Sequence, residues 1–161
     1  MTGSPIVEAP VEADVQAVAL LFEADLGSLD IHPNKDDLVN TTHHLVCVSP
    51  QSSYVRVVRE GPGEPPVGVL VAHRWHSVTF SGPSLWLESL YVDPTIRRRG
   101  LGRALVTDLL EFARDHGIRG IDLEAYRMNA PAGYLYRSFG FMRLGRERYS
   151  LKIDDSLATS V

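Results

Sequence analysis

The sequence predicts an α/β (α+β) domain of about six to seven strands and about four helices, and three observations predict it. The first is composition: 161 residues, 44% hydrophobic and 22% charged, suit one globular domain with one sizeable core. The second is a hairpin signature, in which the β-rich runs "YVRVV" (54–58) and "VGVLVAHRW" (67–75) flank "REGPGEPP", dense in glycine and proline. The third is "GLGRALVTDLLEFARDH" (100–116), where Leu101, Ala104, Leu105, Leu109, Phe112 and Ala113 share one helical face and Gly117 supplies the stop.

The remaining elements fall around these three. "PIVEAP" is short, β-branched and closed by proline, which suits a first strand. Residues 11–27 then carry apolar side chains at helical spacing up to Gly27. The polar loop "SLDIHPNKDD" leads to a weaker helix through "LVNTTHHLV", with Asn34 as the expected cap. "SLWLESLYV" (84–92) reads as a strand halted by Asp93-Pro94, because proline cannot donate to a ladder. After the long helix, "IRGIDLEAY" is a strand, "NAPAGYLYRSFG" a short helix ended by Gly140, and "FMRLGRERYSLKI" (141–153) a final strand or hairpin. The polar tail from about 154 to 161 is expected to fray. No internal repeat or long linker divides the chain, so residues 1–161 are expected to form a single domain.

Charge and cysteine content narrow the function. A formal net charge of −4 argues against a general nucleic-acid or membrane binder, so the run Arg97-Arg98-Arg99 is a local feature. With Cys47 as the only cysteine there is no intrachain disulfide and no Cys-x-x-Cys site, and this residue is expected to be a small buried one. The longest purely apolar stretch, "AVALLF", is too short to span a bilayer, and the N-terminus lacks a basic start and an apolar core. A soluble, cytoplasmic protein is the expectation. His43-His44 and His73-x-x-His76 lack the spacing and third ligand of a zinc site, so no metal is expected and the histidines read as structural or solvent-facing.

The chemistry concentrates in "YVDPTIRRRGLGRAL". A strand that hands over through a basic, glycine-containing turn to an amphipathic helix gathers free N–H groups at the positive end of the helix dipole. Without a Cβ, Gly100 and Gly102 admit a phosphate close to the main chain, while arginines clamp its outer oxygens; a pyrophosphate fits. The Gly-Lys-Ser/Thr ending of a P-loop is absent, and the third glycine of a dinucleotide fingerprint falls on Leu105.

Arg97, Gly100 and Gly102 match Arg/Gln-x-x-Gly-x-Gly/Ala, and Asn129, Ala132, Tyr136, Gly140 and Phe141 match Asn-x-x-Ala-x-x-x-Tyr followed by Gly-Phe. In this order the two motifs resemble the GNAT superfamily of acyl-CoA-dependent N-acyltransferases, most specifically over residues 84–145. The resemblance implies a central mixed, mostly antiparallel twisted sheet. It implies acetyl-CoA as cosubstrate, with the main chain of Leu90, Tyr91 and Val92 pairing with pantetheine and polarising the thioester. Arg97, Arg98, Arg99, Gly100, Leu101, Gly102 and Arg103 would cradle the pyrophosphate. Asn129 and Ala132 would line the cofactor arm, although capping a helix is an equal role for Asn129. Tyr136 falls on the family's general-acid position; packing on a short amphipathic helix is its alternative role.

Glu88 interrupts an otherwise apolar strand. A desolvated carboxylate there would have a raised pKa and accept a proton from an ammonium, whereas a solvated strand face is the alternative. "LWLESLYV" resembles the Leu-Glu-Asp strand of the polyamine and thialysine branch, with Ser89 in place of the aspartate. Glu124, expected on the neighbouring strand, would supplement the negative site. The implied function is direct acetyl transfer to a primary amine of a small molecule. A protein or peptide amine and a non-catalytic CoA-binding module are the alternatives. A homodimer is implied by the resemblance alone.

Overall fold

The structure, a computed structural model, describes residues 4–153, so the expected frayed tail lies outside the described residues. These residues fall into two compact units, one ending at Met128 and one starting at Asn129. In the first, five strands form a sheet in chain order: β1 (Ile6–Glu8), β2 (Ser53–Arg59), β3 (Gly68–Ser77), β4 (Gly82–Val92) and β5 (Gly120–Leu123). Pairing is antiparallel from β1 to β4 and parallel between β4 and β5. The parallel step needs a crossover, and α3 (Leu101–Asp115) supplies it.

Helices cover both faces. On one lie α1 (Val15–Gly27) and α2 (Lys35–His43), where Val18 and Phe22 pack with Val55, Val57, Val69, Val71 and Tyr91, flanked by Leu21, Leu38 and Leu45. On the other lies α3, burying Leu101, Leu105, Val106, Leu109 and Ala113. Tyr54 of β2 meets Phe112 of α3 at 4.3 Å between ring centroids, and the Arg74 guanidinium sits 4.8 Å above that ring. Tyr54 also donates to Asp108 of α3, which accepts from Arg56 Nε at 3.1 Å. Burial, and then the Asp108 bond, push the Tyr54 phenol well above its ordinary value.

Helix boundaries follow local chemistry. Asn34 caps α2, its side chain accepting from the Asp37 N–H at 3.1 Å, and a single π-helical turn, His44–Val48, continues the chain. Cys47 lies on this turn and is exposed, so the expectation that it is buried is corrected; neither α2 nor the turn has an apolar face wide enough to enclose it. Before α1, a turn at Glu12–Asp14 is locked by Arg59. Its guanidinium donates to Glu8 at 2.6 Å, to Asp14 at 2.8 Å and to the Glu64 carbonyl at 2.7 Å.

The second unit carries α4 (Ala130–Ser138), after which Gly140 takes φ +91°. The expected final strand is absent: residues 141–153 form no strand, and the described sheet has five strands instead of six to seven. A strand needs a partner and a buried face, and here Met142, Leu144, Tyr149, Leu151 and Ile153 are all exposed among charged neighbours.

Candidate active site

A β-bulge organises β4. Val71 pairs with Ser89 but Ala72 pairs with Leu87, so Glu88 is the extra residue with no counterpart on β3. The insertion resets the alternation of side chains. Tyr91 and Ser89 face α1, as the Tyr91 packing and a 2.6 Å bond from Ser89 Oγ to Asp25 of α1 show. Beyond the bulge, Leu87 and Leu85 pair with Ala72 and Arg74 and face α3, while Trp86 returns to the α1 side opposite His73.

Glu88 bonds His73 Nε2 across the strands. The Glu88 side chain is 56% exposed and that of His73 35% exposed. Of the two readings open for this carboxylate, the solvated strand face is the one observed: it sits at the sheet surface, held by an imidazole. The bond from Glu88 pushes the His73 pKa above its ordinary value against the opposing effect of burial. Asp25 is also raised, by burial, with the Ser89 bond and the Arg97 charge opposing.

The bulge also marks where β4 loses its parallel neighbour. β5 pairs with residues Ser84 to Leu87 and goes no further. On the β3 side the Asp93 N–H donates to Val67 O, and antiparallel alternation then turns Tyr91 and Ser89 inward to β3. The N–H and C=O groups of Leu90 and Val92 point the other way, along an edge β5 does not cover. Of the three strand-edge residues the sequence singles out, Leu90 and Val92 present main-chain groups, and Tyr91 contributes a side chain on the α1 face.

The chain then turns into α3. Asp93 accepts from the Thr95 N–H at 2.8 Å and shapes the turn Pro94–Ile96. Arg97 Nε donates to the Val92 carbonyl at 2.8 Å, and its guanidinium lies 5.4 Å from the Tyr91 ring centre. Arg98 and Gly100 take positive φ, +69° and +84°, and Gly100 begins α3 with no side-chain cap and open space where a Cβ would stand. The N–H groups of Leu101, Gly102 and Arg103 thus open the helix at its positive end. Arg99 is already paired, donating to Glu60 of the β2–β3 loop at 2.8 Å.

In the second unit, Asn129 caps α4, its side chain accepting from the Ala132 N–H at 3.2 Å. The Tyr136 ring meets Phe141 edge-on at 5.7 Å, and the Tyr136 carbonyl accepts from the N–H groups of Phe139 and Phe141. Glu124 is the first residue after β5 and not a member of it. Among the described residues no group of three or more His, Cys, Asp and Glu side chains is placed to hold a metal ion, and no helix is long and apolar enough to cross a membrane.

The profile of the Acetyltransferase (GNAT) family matches residues 18–141. The chain belongs to this family. The match runs from α1 through α4 and includes both motifs. Over 82 residues the GNAT chain is 37% identical to a thialysine N-epsilon-acetyltransferase of Caenorhabditis elegans, covering 51% of each protein. Over 64 residues it is 45% identical to the N-alpha-acetyltransferase RimI of Mycobacterium tuberculosis, covering 39% of each. These stretches span about half or less of the curated relatives' own lengths. The fold matches that of an aminoglycoside N-acetyltransferase in complex with CoA, with a TM-score of 0.76 over 92% of this chain and 95% of that one, at 16% identity.

Two elements escaped the sequence. His73 and Glu88 are 15 residues apart, and only the hairpin register brings them together. Asp25 lies within the helix expected over residues 11–27 and was not singled out, and its bond to Ser89 spans 64 residues.

Proposed function

We propose that this protein transfers an acetyl group from acetyl-CoA directly to a primary amine of a small molecule, the two substrates bound together. The observation that carries the reading is the uncovered main-chain edge at Leu90 and Val92 running into the uncapped N-terminus of α3 at Gly100, in a chain of the acetyltransferase family. These features suit the two halves of CoA. An amide-containing arm pairs with a strand edge, and a pyrophosphate takes N–H groups at a helix start that has room and positive charge around it.

When bound, acetyl-CoA supplies an activated thioester. The chain's own residues do the rest. The Leu90 and Val92 main-chain groups hold the arm, with an N–H directed at the thioester oxygen, and residues Arg97 to Arg103 hold the phosphates. Glu88 receives the proton lost by the incoming ammonium, directly or through water, and Tyr136, at the motif position, gives one to the departing sulfur. Asn129 and Ala132 line the cofactor arm as well as starting α4. Glu88, Asp25 and the exposed Glu124 favour a cationic acceptor, in keeping with the thialysine enzyme among the relatives. A protein N-terminus is the second reading, favoured by the RimI relative.

Calorimetric titration with acetyl-CoA and CoA tests the reading, comparing the natural chain with Gly100→Glu, followed by an amine screen. Binding lost in a folded Gly100→Glu variant supports the cradle. No binding by the natural chain overturns the reading, and binding without turnover of any small or peptide amine leaves a CoA-binding module. The implied homodimer is checked by light scattering, where a mass of 17.8 kDa would exclude it. Residues 1–161 are proposed to act as one domain, since the family match crosses the boundary between the two compact units.

A further inference from the structure

We infer that His73 is a positioning residue that sets both the orientation and the proton affinity of Glu88. The inference rests on the transferase reading above and adds to it a residue outside the motifs.

Its basis is the bulge. An extra residue in a strand is free to aim its side chain where regular alternation would not, and nothing in the ladder fixes where it points. Glu88 is such a residue, and the bond to His73 Nε2 fixes its direction. His73 lies on a regular stretch of β3, paired with Ser53 on one side and Trp86 on the other, so it is a rigid anchor. By register, its face of the sheet is the one carrying Ser89 and Tyr91. That places the pair just before the uncovered edge at Leu90 and Val92.

The pair takes up one proton as a unit. Before reaction it is a carboxylate accepting from a neutral imidazole, with net charge −1. The ammonium's proton passes to Glu88, leaving a neutral amine and a carboxylic acid beside the Nε2–H of a neutral imidazole, a pair of net charge zero. Glu88, more than half exposed, returns the proton to solvent, so no further reactant is needed. Among the described residues the charged groups on this face are Asp25 of α1, bonded to Ser89, Arg97, which lies by the Tyr91 ring and acts on Asp25, and Asp122 of β5, which pairs with Trp86; β2 contributes only the uncharged Ser53 opposite His73. The two carboxylates favour the imidazolium, and the Arg97 guanidinium beside Asp25 opposes them. Below the titration of His73 the pair is already protonated and unable to accept; above it the pair is competent.

The test uses the full chain and the variants His73→Gln, His73→Ala and Glu88→Gln. NMR of the imidazole nitrogens should show His73 titrating above its ordinary value of about 6.5 in the natural protein and returning toward it in Glu88→Gln. With an amine that is turned over, the acidic limb of kcat/KM should follow that titration. Glu88→Gln should lose about 10²-fold or more in kcat, and His73→Ala about tenfold, with KM for acetyl-CoA unchanged in both. His73→Gln, which keeps an N–H donor but cannot titrate, should recover most of the rate while its acidic limb moves to lower pH. Equal pH profiles and rates in His73→Ala and the natural protein would overturn the inference and leave the transferase reading standing. A His73 titration unmoved in Glu88→Gln would also overturn it, even if no amine were turned over, an outcome that would separately overturn the transferase reading.

Discussion

Gly68→Ala tests how tightly the site-bearing strand is seated. Gly68 opens β3 opposite Val92, and a Cβ built on it lies 2.9 Å from the Tyr91 carbonyl oxygen, 2.9 Å from Val58 Cγ1 and 3.1 Å from Val92 Cγ2. Two of these atoms belong to β4 next to the uncovered edge, and one is main chain, which cannot rotate away. Overpacking of this kind costs about 1–3 kcal/mol. Alanine also restricts the unfolded chain, which offsets about 0.4–1 kcal/mol. The balance is a loss of about 1–2 kcal/mol, or a Tm lower by roughly 2–8 °C for a chain of this size. Because relief requires β4 to move at Tyr91, acetyl-CoA affinity should fall in the same variant. Calorimetric melting and titration of one preparation read both quantities. A Gly68→Ala protein with unchanged Tm and unchanged affinity would refute the argument that this glycine is required by close approach of β4.

Arg59→Met should destabilise the fold by about 3–5 kcal/mol, read by denaturant titration, because it strands the buried Asp14 and removes the tie between β1 and the turn before α1. Burial alone would raise the Asp14 pKa, but the bond from Arg59 and that from the Val11 N–H prevail and lower it. Its stabilising contribution is therefore present above about pH 3.8 and is lost as pH falls through the lower folded-state value, an acid-melting step that Arg59→Met should abolish. Tyr136→Phe should lower kcat by about 10²-fold or more at unchanged CoA affinity if the phenol donates to the thiolate, whereas a packing role predicts a changed Tm with kcat intact.

Much of this architecture was legible because it is written in local chemistry. Asn34 and Asn129 cap helices through their own side chains, Gly117 ends α3 at φ +64°, and the apolar stripe of α3 needs no distant partner to be recognised. Val106, buried beside that stripe, was missed because ideal spacing draws the face narrower than a helix lying on a sheet makes it. The motif from Arg97 to Arg103 revealed the turn, but the Arg99–Glu60 pair and the Arg97 bond to the Val92 carbonyl depend on loops meeting in space. Residues 141–153 read as a strand because Tyr149, Leu151 and Ile153 alternate; periodicity reports capacity to pair, and pairing requires a neighbour. Glu88 was singled out for a visible oddity, a charge in an apolar strand, but its two environments stayed open, since a bulge turns on pairing register and not on composition.

The bulge has a consequence for how β4 tolerates change. Its two halves run in opposite phase: side chains before Glu88 and after it obey alternations one step out of step, and a single residue absorbs the difference. Substitution at 88 leaves that phase relation intact. Deletion of the same residue joins Leu87 directly to Ser89, whose β3 partners Ala72 and Val71 are already consecutive, so one uniform alternation then serves both halves. Leu85, Leu87 and Leu90 keep one face, and Trp86, Ser89 and Tyr91 keep the other. Position 88 is thus dispensable to the ladder, and its loss falls on the site alone.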